Sequence, residues 1–139
     1  MIYQVIQYIK FLLKSTNQHG IHSPFVYDLV TKCFYDKTKF KDYLKLKDFN
    51  RRLKKVKLKI NVTDLGIGSQ VMKNQERSVS NMAKNAGTTY KRAKLLYRVT
   101  NYFNPKNILE FGTSLGIATQ ALSLGNPKSK ITTIEGCPE

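Results

Sequence analysis

The chain has 139 residues, 41% of them hydrophobic and 24% charged, the balance of an ordinary folded protein rather than a disordered one. No apolar run approaches the roughly 18 residues that cross a bilayer, so a membrane-spanning helix is not expected. Lys plus Arg number 24 against 9 Asp plus Glu, a formal net charge of +15, so anionic partners are favoured and cationic ones are not.

Ile2, Val5, Ile6, Ile9, Leu12 and Leu13 recur at helical intervals, which predicts an amphipathic helix over residues 2–14. Polar residues interrupt that segment and no small-residue cleavage site follows, so it does not read as a signal peptide. The stretch Ser15-Thr-Asn-Gln-His-Gly20 breaks the pattern. Ser23-Pro24 then reads as an N-cap followed by proline in the first turn. Phe25, Val26, Leu29, Val30, Cys33 and Phe34 predict a second amphipathic helix. His19 and His22 flank a glycine; capping or local hydrogen bonding suits them better than metal ligation, because no third ligand is evident and no metal is expected. Cys33 and Cys137 are far apart and lack metal-ligand spacing, which fits reduced thiols in a cytoplasmic protein.

Residues 37–59 hold 11 basic residues against Asp42 and Asp48. Such a field suits polyanion contact, although a solvated helix face gives the same letters. A third helix is predicted from about Phe40 to Val56, with Tyr43, Leu44, Leu46, Phe49 and Leu53 as a weaker stripe. Leu58 to Val62 alternates like a short strand. Asn61 to Ser69 holds Asp64, Gly66 and Gly68, a second glycine turn. It ranks below the later one because no β-run ending in an acid follows at the right distance. Helices are then predicted over Glu76–Asn85 and Tyr90–Phe103, the second capped by Thr88 or Thr89 and stopped by Asn104-Pro105. Tyr90, Ala93, Leu96, Val99 and Phe103 form its expected apolar face. The bases and aromatics between Tyr90 and Arg98 suit RNA contact as well as a helix with a basic outer face.

The richest segment comes last. Ile108-Leu109 leads into Glu110; Gly112-Thr-Ser-Leu-Gly116 follows, then a helix-like run to Leu124, then Ile131-Thr-Thr-Ile134 ending at Glu135. Strand, glycine turn, helix, strand and acid is how α/β proteins build a nucleoside site. Glycines let the backbone turn sharply, the helix start offers free N–H groups, and an acid about 20 residues past the turn accepts bonds from ribose hydroxyls. The same letters match Gly-x-Ser-x-Gly, which would make Ser114 a nucleophile. That reading requires a downstream acid and then a histidine, and both histidines lie far upstream.

Residues 108–119 and 131–139 resemble the first two motifs of class I S-adenosylmethionine-dependent methyltransferases, most closely the O-methyltransferase branch related to the catechol and caffeoyl-CoA enzymes. Ile21-His-Ser-Pro-Phe-Val-Tyr-Asp28 and Lys91-Arg-Ala-Lys-Leu-Leu-Tyr-Arg98 are similar to bacterial members, notably from Bacteroidetes. The resemblance implies an α/β chain: a mainly helical region over 1–104, then the first β-α-β unit of a Rossmann-like sheet over 105–139. It implies S-adenosylmethionine as cofactor. Glu110 and Gly112 would lie beside its methionine part, Thr113, Ser114 and Gly116 would form the turn around it, and Glu135 would hold the ribose. Cys137 and Pro138 would lie near the adenine. Ser114 stands where the family more often has a glycine. A full domain of this family has seven strands, so the chain is expected to be the N-terminal part of such an enzyme, without turnover alone. The methyl acceptor, small molecule or RNA, is left open. Two strands alone would expose Ile108, Leu109, Ile131 and Ile134, so self-association into a homo-oligomer or a rearranged helical packing is expected.

Overall fold

A computed structural model describes residues 2–63 and 75–137. The protein is mixed α/β and forms two compact units, residues 1–36 and 37–139. The glycine turn expected at Asp64, Gly66 and Gly68 lies outside the described residues, as does Pro138.

The first unit is helical. Helix α1 spans Ile2–Lys14, and none of its residues is buried. Asn17 caps a short 3₁₀ turn over Gln18–Gly20, its Oδ1 accepting from the His19 N–H at 3.0 Å. Helix α2 spans Pro24–Asp28, with the Ser23 hydroxyl accepting from the Val26 N–H. The expected long helix continues to Phe34, but Leu29–Phe34 is wound as a π-helix. The i→i+5 winding of this π-helix shows in the Tyr35 N–H bond to the Val30 carbonyl at 2.9 Å. Cys33 is its buried member.

In the second unit, α3 (Asp42–Leu53) is shorter than expected and begins without a side-chain cap. Strands β1 (Lys59–Asn61) and β2 (Glu76–Ser78) pair antiparallel, Ile60 opposite Arg77. The helix predicted from Glu76 therefore starts three residues later: α4 spans Val79–Asn85, and Ser78 caps it through the Asn81 N–H. Pairing with Lys59–Asn61 holds Glu76–Ser78 extended, a long-range effect that local periodicity does not carry. Helix α5 (Tyr90–Phe103) is capped by Thr89 and stopped by Asn104, whose left-handed backbone (φ 47°) precedes Pro105. Strand β3 (Asn107–Phe111), helix α6 (Ile117–Gly125) and strand β4 (Lys130–Ile134) follow. The two strands pair in parallel, with Ile108 opposite Ile131 and Glu110 opposite Thr133. Both strands form, so the rearranged helical packing is not what the chain adopts. The boundary expected at 104/105 falls inside this second unit, because α5 packs along α6 and α3 lies against both.

The core is Leu46 of α3, Ala93 and Tyr97 of α5, and Ile117 and Ala121 of α6. Burying a leucine such as Leu46 contributes about 1.5–3 kcal/mol. Small residues set the α5–α6 approach: a Cβ on Gly125 would stand 2.6 Å from the Tyr97 carbonyl oxygen. Phe40, Tyr43 and Tyr97 pack ring against ring with centroids 5.0–5.4 Å apart. The expected stripes need correction at their ends. Leu44 and Phe103 are exposed, while Asn50 and Thr100 are buried. Along β3 the alternation is clear: Ile108 and Glu110 face the covered side, whereas Leu109 and Phe111 are exposed, Phe111 to 77%. Of the four apolar residues expected to be bare, Leu109 and Ile134 are exposed and Ile108 and Ile131 are half-buried.

Candidate cofactor site at the ends of the parallel strands

The turn between β3 and α6 has the backbone that its glycines allow. Gly112 (φ 85°), Ser114 (φ 46°) and Gly116 (φ 69°) all take positive φ. A Cβ on Gly112 or Gly116 would meet nothing within 4 Å, so open space adjoins both. These glycines answer a conformational demand, not a crowded neighbour. Ser114 takes the same hand with a side chain, at a cost of about 1–2 kcal/mol.

Long-range bonds hold the turn to β4. The Gly112 N–H donates to the Ile134 carbonyl at 2.8 Å, and the Thr113 and Thr133 hydroxyls meet at 2.5 Å. The Ser114 N–H donates to Glu135 Oε2 at 2.6 Å. Glu135 Oε1 accepts from Gly136 and Cys137 N–H groups at 2.9 and 3.1 Å. The Ser114 amide, then that of Cys137, with smaller help from Gly136 and Thr113, holds the Glu135 carboxyl below the usual carboxylate range; slight burial works the other way. The carboxylate is otherwise exposed, so its partners are open to exchange with a ligand.

Glu110 sits differently. It is 8% exposed, and its Oε2 accepts from the Thr119 hydroxyl in the first turn of α6 at 2.6 Å. Its Oε1 is buried without a hydrogen-bond partner. A buried, unpartnered carboxylate oxygen is costly and calls for a donor or a positive charge. The α6 N-terminus has Gly116 as its cap and no side-chain capping bond.

The structure therefore brings Gly112, Thr113, Ser114, Gly116 and Glu135 together at one end of the parallel pair, with Glu110 beneath the turn. It adds Ile60, Val62 and Met82 of α4, which the sequence did not flag: with Leu115 of the turn and Cys137, expected near the adenine, they line a cavity of about 90 Å³ beside Ser114 and Glu135. The Cys137 thiol also reaches the Asn61 carbonyl at 3.9 Å. Alternation around Ile60 was the only sequence signal for this wall, and it did not say what the strand would face. The cavity is smaller than the roughly 300–1,000 Å³ of a drug-sized ligand site, so it would admit the edge of a ring, not a whole cofactor. Among the described residues no group of three or more His, Cys, Asp or Glu could hold a metal, and both cysteines are free. Among those residues, too, no helix is long and apolar enough to cross a membrane. In comparisons with known proteins, no family model, no curated protein and no solved structure matches the chain.

Proposed function

We propose that residues 105–139 form the cofactor-binding start of a Rossmann-like, class I methyltransferase domain that takes S-adenosylmethionine. The observation that carries this reading is the Ser114–Glu135 bond: glycine turn and acid meet at the carboxyl ends of two parallel strands joined by a crossover helix. That is where open α/β sheets bind nucleotides. Ribose hydroxyls would take up Glu135, freeing the Ser114 amide for an anionic group such as the methionine carboxylate. The unpartnered oxygen of Glu110 suits the positively charged part of the methionine moiety. The apolar wall of Ile60, Val62 and Met82 suits an adenine edge. In an enzyme built on such a domain the methyl group would pass from the sulfonium to a nucleophile by direct displacement, and the protein's part would be to place the two atoms in line.

Titration calorimetry with S-adenosylhomocysteine tests this. Saturable binding to the wild-type chain, weakened at least tenfold in Glu135→Ala, is the expected result. No heat at millimolar ligand, or equal affinity in both proteins, would remove the reading.

A further inference from the structure

A second candidate site lies on α3 and α5, away from the glycine turn. Lys47, Asn50, Arg51 and Lys54 follow one another at helical spacing, so they share one face of α3 and its C-terminal end. With Lys55 and Tyr90, the first residue of α5, they line a groove of about 410 Å³. That volume is in the range of a site for a nucleotide-sized ligand. Its walls are mostly carbon: the stems of the long basic side chains and the tyrosine.

The charge at this groove is poorly neutralised. Asp42 pairs with Lys45, and Asp48 pairs with Arg51 and Arg52. Among the described residues Lys47, Lys54 and Lys55 have no ion pair. Tyr90 is held in place: its hydroxyl donates to the Tyr43 carbonyl at 3.2 Å, and the Lys94 ammonium stands 5.0 Å from its ring centre. Asn50, only 6% exposed, adds an amide to the lining.

A carbon-walled trough with a fixed aromatic residue and a cationic rim matches one ligand chemistry: flat rings joined by phosphates. We propose that this groove binds single-stranded nucleic acid. The lysines and Arg51 take the phosphates, and Tyr90 offers a surface for a base. An acidic polypeptide would use the charge but leave the carbon walls and the tyrosine without a purpose. The proposal does not depend on the cofactor reading, because the groove shares no residue with the turn or Glu135.

Fluorescence anisotropy of the full chain with a labelled mixed-sequence 12-nucleotide RNA tests it. Four phosphates neutralised on a single strand predict about a 50-fold loss of affinity between 50 and 200 mM salt. A variant with Lys47, Arg51, Lys54 and Lys55 all changed to Gln should bind at least 30-fold more weakly and show a flatter salt slope. A control with Lys10, Lys106, Lys128 and Lys130 changed to Gln loses the same charge and should bind within about threefold of wild type. Tyr90→Leu should cost at least fivefold with little change in slope. Circular dichroism and melting of each variant separate lost binding from lost fold, and Lys54→Gln/Lys55→Gln, at the end of the helix, serves if the fourfold variant melts early. Equal losses in the two fourfold variants would show that only net charge matters and would overturn the site. So would no binding at 50 mM salt, or competition by inorganic polyphosphate as effective per charge as by RNA.

Discussion

Ser114 and Glu135 are 21 residues apart in the chain, and the amide of one donates to the carboxylate of the other at 2.6 Å. The bond closes the β-α-β unit at the end where both strands deliver their carboxyl termini. It also accounts for the lowered proton affinity of Glu135, since protonation would weaken every amide bond that the carboxylate accepts.

The sign of the pH dependence follows. A carboxyl whose folded affinity for protons is depressed contributes stability that is fully present above the unfolded value, about 4.3, and is lost as pH falls through the folded one. Wild type should therefore hold its melting temperature from pH 7 to 5 as far as this group is concerned, then lose stability below about pH 4.3. Glu135→Gln should blunt that acid limb. Because the group is exposed, the difference at pH 7 should stay within about 1 kcal/mol. Paired melts from pH 7 to 3 measure both; superimposable acid limbs would contradict the assignment.

Backbone hand at the turn makes a second prediction. Ser114→Gly relieves the left-handed strain and keeps the amide that Glu135 uses, so chemical denaturation should show a gain of up to about 1 kcal/mol. Gly116→Ala imposes that strain and should cost about 1–2 kcal/mol, although open space adjoins the residue. Gly112→Val should destabilise the fold as well as disturb the turn, because a β-branched residue is strained at φ 85°.

Glu110 depends on Thr119. Thr119→Val keeps the shape but removes the donor at 2.6 Å, leaving both buried carboxylate oxygens short of partners. Urea unfolding should show a loss of about 1–3 kcal/mol. A loss below about 0.3 kcal/mol would mean that Glu110 finds another donor.

The α5–α6 contact tolerates no side chain at Gly125, where a Cβ would press on the Tyr97 carbonyl at 2.6 Å and Thr100 at 2.9 Å. Gly125→Ala should cost about 1–3 kcal/mol through helix displacement. An unchanged melting temperature would show that the two helices part easily.

Tyr97 titrates in the opposite sense to Glu135. Burial first, then the Asp42 charge and the bond to Asp42, raises its phenol above the ordinary value, so its contribution is intact below about pH 10 and is lost as pH rises beyond it. Tyr97→Phe should cost about 1 kcal/mol at pH 7 and reduce the alkaline loss; melts between pH 8 and 11 check the crossing trend.

Much of this protein was legible locally. Apolar spacing marked α1, α3 and α5. Ser23, Thr89 and Asn104 marked helix ends through capping chemistry that acts over three or four residues. Gly112 and Gly116 marked the turn, because only a backbone without Cβ takes that hand freely. What local chemistry cannot carry is pairing at a distance. Glu76–Ser78 reads as the start of a helix and becomes a strand because Lys59–Asn61 holds it. The outward face of Leu109 and Phe111, the unpartnered oxygen of Glu110 and the wall of Ile60, Val62 and Met82 are set by which element lies across from them. The residues of the turn and the acid at 135 came from sequence by itself; that the acid's carboxylate sits on the turn's own amide was decided only when parallel pairing and the crossover helix brought the two ends together.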